Sequence, residues 1–90
     1  MIVSQTLTIV NKLGLHARAA SKLAQLCQQF DAKIMLTLEE KKADAASIMA
    51  IMLLAGGQGK EVKVTVQGID AQEALQAISH LICNKFDEDE

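Results

Sequence analysis

Val62-Lys63-Val64-Thr65-Val66 decides the fold, because apolar and polar residues alternate there at the period of a strand with one dry face. Beyond it, Asp70-Ala71-Gln72-Glu73 has the spacing of a capping box, with Asp at the cap. A helix follows, with Ala74, Leu75, Ile78, Leu81 and Ile82 on its inner face. Behind it, Gly56-Gly57 ends a helix that Ser47 can cap and that runs to about Leu54. Phe30 to Leu38 again has period two, Glu39 to Lys42 reads as a charged turn, and a short strand is expected at Ala43 to Ala45. At the front of the chain, Ile2 to Val10 reads as a strand and Asn11 to Leu15 as a loop with Gly14 as its flexible point. A helix over Ala17 to Gln28 buries Ala20, Leu23, Ala24 and Cys27. The order is βαββαβα. Half-apolar strands imply an open antiparallel sheet, wet on one face and covered by three helices on the other, an α+β two-layer sandwich.

Ninety residues make one domain, 1–90, with one modest core. The acidic end Phe86-Asp87-Glu88-Asp89-Glu90 reads as a frayed, solubilising tail over 86–90. With no Trp or Tyr and two Phe, aliphatic residues and Met must fill the core. A net charge of −2 argues against a nucleic-acid footprint. Cys27 and Cys83 are far apart, form no CxxC, and fall on apolar helix stripes, so both are expected to be buried thiols and no metal site is expected. His80, mid-helix, reads as a solvated or packed histidine. The first residues lack the features of a secretory signal, and the apolar run Ile48 to Ala55 is too short to cross a bilayer. The expected compartment is the cytoplasm, without membrane insertion.

Gly14-Leu15-His16-Ala17-Arg18 lies where the first loop meets the first helix. A helix N-terminus leaves backbone N–H groups without intrahelical partners and carries partial positive charge, an arrangement that binds phosphate. That charge disfavours imidazolium, leaving a neutral His16 ring as a nucleophile. The Ala17 and Arg18 amides could take phosphoryl oxygens, and the Arg18 guanidinium could neutralise charge during in-line transfer. No Walker lysine, nucleotide loop or magnesium carboxylate pair accompanies them, so a donor protein is implied. Taken alone, a histidine and an arginine at this spacing are more often just two exposed residues at a helix start.

GLHAR after a first strand, Ser47-Ile48-Met49-Ala50-Ile51-Met52 further on, and the Gly59-to-Gly68 strand segment lie in the order found in the HPr family of phosphotransferase-system carriers. The chain resembles that family over nearly its whole length. The resemblance implies the family's open-faced βαββαβα sandwich, His16 as the residue phosphorylated on Nδ1 (a pros-phosphohistidine), and Arg18 as its electrostatic partner. It implies an enzyme I-type donor charged by phosphoenolpyruvate and a histidine of an enzyme IIA-type protein as acceptor. NKLGLHAR and the FDEDE ending are most similar to carriers of the nitrogen-related branch; an HPr of the sugar-uptake branch is the alternative. Family members commonly place proline after the arginine. Here Ala19 stands there, a strong helix former that restores an N–H.

The second helix is apolar nearly all round. Ala50, Ile51 and Leu54 share one side, and Ile48, Met49 and Met52 another, so one side is expected to form an exposed patch. The resemblance makes Ile48, Met49 and Met52 a partner-docking surface and Ser47, besides its cap, a regulatory phosphorylation site where a dedicated kinase exists. A second functional reading is a regulatory binding module that alters target proteins through this patch. A metal- or RNA-binding domain ranks far below, lacking the CxxC and the aromatic strand platform. In none of these readings does the protein turn over a small molecule by itself, and the carrier is expected to act as a monomer without a cofactor.

Overall fold

The computed structural model describes residues 1–89. Among them are β1 (Ile2–Thr8), α1 (Ala17–Cys27), β2 (Ala32–Leu38), β3 (Lys41–Asp44), α2 (Ile48–Leu53), β4 (Glu61–Gly68) and α3 (Ala71–Cys83), the expected βαββαβα order. All neighbouring strands are antiparallel in the order β1-β4-β2-β3. The register stacks one apolar face: Leu7 lies opposite Val62, Val64 opposite Leu36, and Leu36 opposite Ala43. These residues are buried, while Lys63 is exposed on the opposite face, so strand alternation translates directly into a dry and a wet side.

The helices cover the dry face. α3 packs on β1 and β4, and α1 lies between α2 and α3. Ala19, Ala20, Leu23, Ala24 and Cys27 make the buried stripe of α1. Ala71, Ala74, Leu75, Ile78 and Ile82 make that of α3. No helix among the described residues is long and apolar enough to cross a membrane.

Four details depart from the sequence expectations. β3 begins at Lys41, inside the expected charged turn, because Lys41 and Lys42 pair with Leu38 and Thr37 and extend the β2 hairpin. Asp70 makes no side-chain cap on α3; its Oδ2 instead accepts the Asp31 N–H at 3.0 Å, joining the start of α3 to the entry of β2. Cys83 is exposed, since the last turn of α3 rotates it off the buried stripe, while Cys27 is buried as expected. Burial, with the charge of Asp44, pushes the Cys27 thiol up to about 12.

The fourth departure is the end of the chain. Expected to fray, it turns back instead: Phe86 is 0% exposed within the core. Lys85, Phe86 and Asp87 have φ of 59°, 53° and 63°, a left-handed turn packed on α3 and α1. Left-handed backbone is unfavourable for residues other than glycine, so this turn persists because burial of the Phe86 ring and the contacts around it offset the strain. Lys22 Nζ fastens it by donating to the Phe86 carbonyl at 2.8 Å. Glu90 lies outside the described residues.

Candidate functional site

The loop between β1 and α1 is held from three sides. Gly14, at φ +67°, lies so close to α2's exit that a Cβ there would stand 2.2 Å from the Gly56 carbonyl oxygen. That same oxygen accepts the Leu15 N–H at 2.8 Å. Asn11, fully buried, donates from Nδ2 to the Gly14 carbonyl at 2.9 Å and to Glu88 Oε1 at 3.0 Å. Two acceptors on one side fix the orientation of this amide. Its Oδ1 is buried with no partner among the described residues, at a cost of about 1–3 kcal/mol.

The loop delivers His16 as the N-cap of α1, with extended backbone and its carbonyl accepting the Ala20 N–H at 2.8 Å. Nδ1 accepts the Arg18 N–H at 3.3 Å. The ring therefore takes the place that Ser, Thr or Asp usually fills at a helix start. Nε2 meets Oε2 of Glu88. His16 is partly exposed, and Ala17 and Arg18 are exposed beside it in the first turn. Ala19, where the family commonly has proline, is fully buried.

An open cleft of about 790 Å³ surrounds the ring, lined by Lys12, Arg18 and Lys22 as cations and Asp87, Glu88 and Asp89 as anions. Partial burial raises the Glu88 carboxyl, but hydrogen bonds from Asn11 and His16 and the charges of His16 and Arg18 outweigh it. The group is held below the usual carboxylate range.

Ser47 caps α2, its Oγ accepting the Ala50 N–H at 3.1 Å. Ile51 and Leu54 point into the core, whereas Ile48, Met49 and Met52 are exposed. Leu53 and Leu13, which the sequence reading did not single out, are 70% and 68% exposed. His80, also exposed, lies 2.8 Å through Nε2 from the Asn84 amide.

Glu88 and Asn11 were likewise missed. Nothing local to Glu88 points at a loop so distant in sequence. The one available signal was Phe86, an aromatic residue set in an otherwise acidic end, which marks an anchor rather than a solubilising tail.

Fold and site together define a small open-faced sandwich that presents an imidazole at the N-cap of its first helix, with an arginine in the first turn. The family model described as the PTS HPr component phosphorylation site matches residues 3–84. The phosphocarrier protein NPr of Shewanella violacea is 50% identical over 96% of this chain and 94% of its own length. NPr of Escherichia coli K12 is 43% identical over 99% of this chain and 100% of its own. The phosphocarrier protein HPr of Xylella fastidiosa Temecula1 is also 43% identical, over 98% and 99%. Among solved structures, HPr-C-His from Thermoanaerobacter tengcongensis superposes with a TM-score of 0.93 at 41% identity, covering 98% of this chain and 99% of that one. The chain belongs to the HPr family, the phosphocarriers of the phosphotransferase system.

Proposed function

We propose that His16 is the phosphoacceptor, that it takes the group on Nδ1 from an enzyme I-type protein charged by phosphoenolpyruvate, and that it passes the group to a histidine of an enzyme IIA-type protein. The observation that carries this is the ring at the N-cap of α1, with Nδ1 turned to the helix amides. A phosphoryl group on Nδ1 stands over that terminus, where the Arg18 N–H, now bonded to Nδ1, and the Ala17 N–H turn to its oxygens. The exposed Arg18 guanidinium then neutralises charge spread over the equatorial oxygens during in-line transfer.

Leu13, Ile48, Met49, Met52 and Leu53 supply the apolar surface on which donor and acceptor dock in turn, Met adapting to more than one partner. A phosphate on Ser47 would place charge beside that surface and obstruct docking without unfolding α2. The nitrogen-related branch is favoured by NKLGLHAR, by the FDEDE ending and by the 50% identity to the Shewanella NPr. Action in the cytoplasm as a monomer accords with this relay. A second reading, a regulatory module that docks on target proteins, draws on the same exposed patch; it differs in needing no onward transfer.

The test is intact mass after incubation with phosphoenolpyruvate and a matched enzyme I-type donor. One acid-labile phosphoryl adduct is expected on the wild type and none on His16→Ala. Absence of an adduct with a donor that charges another carrier rejects the relay.

A further inference from the structure

The two nitrogens of His16 have different neighbours. Nδ1 looks along α1 and accepts the Arg18 N–H, while Nε2 faces a carboxylate. That carboxylate is delivered by a chain of fixed contacts. The Phe86 ring is sunk in the core, Lys22 holds the Phe86 carbonyl, the left-handed turn reverses the backbone, and buried Asn11 grips Glu88 Oε1. Asn11 also holds the Gly14 carbonyl, so one buried amide ties the loop that carries His16 to the carboxylate that meets its ring. Asn11 keeps this orientation although its own Oδ1 lacks a partner among the described residues.

A carboxylate is an acceptor only, so the proton at this contact sits on Nε2 and the lone pair stays on Nδ1. We propose that Glu88 is a positioning residue for phosphoryl transfer: oriented by Asn11, it holds His16 as the Nε2–H tautomer and stabilises the positive ring that forms when Nδ1 takes the phosphoryl group. The proposal rests on His16 being the phosphoacceptor. In the step, the Nδ1 lone pair forms the N–P bond while the bond between phosphorus and the donor breaks, its electron pair staying with the donor. Nε2 keeps its proton, so the ring becomes cationic opposite the Glu88 carboxylate. In onward transfer the N–P electron pair returns to Nδ1 and the ring is neutral again. Orienting carboxylates behind histidines in other sites act in the same two ways, on tautomer and on charge.

The experiment compares wild type, Glu88→Ala and Glu88→Gln in two readouts. The first is histidine 15N–1H spectroscopy of the uncharged protein near neutral pH. Wild type is expected to show a slowly exchanging Nε2–H proton on His16, which Glu88→Ala loses while gaining Nδ1–H tautomer. Glu88→Gln, whose side-chain oxygen still accepts, keeps much of that signal. The second is the single-turnover rate of charging from the enzyme I-type donor. A fall of roughly ten- to a hundredfold is expected for Glu88→Ala, on the scale of other orienting carboxylates. Glu88→Gln, without the charge, remains slow despite its tautomer, which a merely structural role would not produce.

An unchanged Nε2–H proton and an unchanged rate in Glu88→Ala overturn the proposal. Faster charging overturns it too, since Glu88 would then block the site. The two readings fail separately: a protected Nε2–H on a wild type that takes no phosphoryl group rejects the phosphoacceptor, whereas normal charging with no such proton rejects only the role of Glu88.

Discussion

Replacing Phe86 with alanine tests whether the end of the chain is anchored as described. The ring is fully buried among α1 and α3, and truncating such a side chain costs about 3–5 kcal/mol. Part of that is recovered, because the three left-handed residues relax to ordinary backbone once nothing holds them. A net loss of about 3 kcal/mol is therefore expected. In a domain of this size that lowers Tm by roughly 12–24 °C, at about 4–8 °C per kcal/mol. Thermal unfolding followed by circular dichroism reads the loss directly. The protected His16 Nε2–H proton should vanish in the same variant, because Glu88 is no longer delivered to the ring. A Tm drop below about 5 °C would refute the anchoring argument, as such a drop is only about 1 kcal/mol. So would a large drop that leaves the Nε2–H signal intact, since the contact would then not depend on the ring.

Gly14→Ala sets a Cβ against the Gly56 carbonyl and strains a positive φ, so the loop must move; about 1–3 kcal/mol of stability and most of the charging rate should be lost. Wild-type Tm with wild-type charging would show that the Gly14–Gly56 approach is not needed. Cysteine reactivity separates the two thiols. At pH 8 iodoacetamide should modify exposed Cys83 while Cys27, raised to about 12, stays unreacted in the native protein and reacts on denaturation. Peptide mass mapping that finds equal native labelling would contradict the burial of Cys27.

The sheet and helices were legible because their periods are clean. Val62, Val64 and Val66 can serve only a half-buried strand, and Ser47 before an apolar run only a helix start. The two sides of α2, Ile51 and Leu54 on one and Ile48, Met49 and Met52 on the other, also followed from geometry, while which of them faces outward came from the resemblance. Within the site, the place of His16 at the start of α1 could be read because it depends on local chain. The rest was hidden because it depends on contacts far apart in sequence. Asp70 caps no helix since the Asp31 N–H claims its carboxylate, and Glu88 reaches His16 only through a left-handed turn that no local propensity favours. Cys83 shows a smaller limit: a stripe read to the end of a helix overshoots where the last turn leaves the core.

The place of β4 bears on how the molecule is made. It is the strand that joins β1 to the β2–β3 hairpin, yet the chain supplies it last of the four. During synthesis β2 and β3 can pair at once, but β1 must wait on the ribosome without its partner, and the pairing that closes the sheet spans most of the chain. The loop bearing His16 then needs Gly56 against Gly14, and the contact on its ring needs Glu88. Vectorial synthesis therefore makes the setting of His16 one of the last features to form. A half-made chain carries the histidine without the fold that positions it.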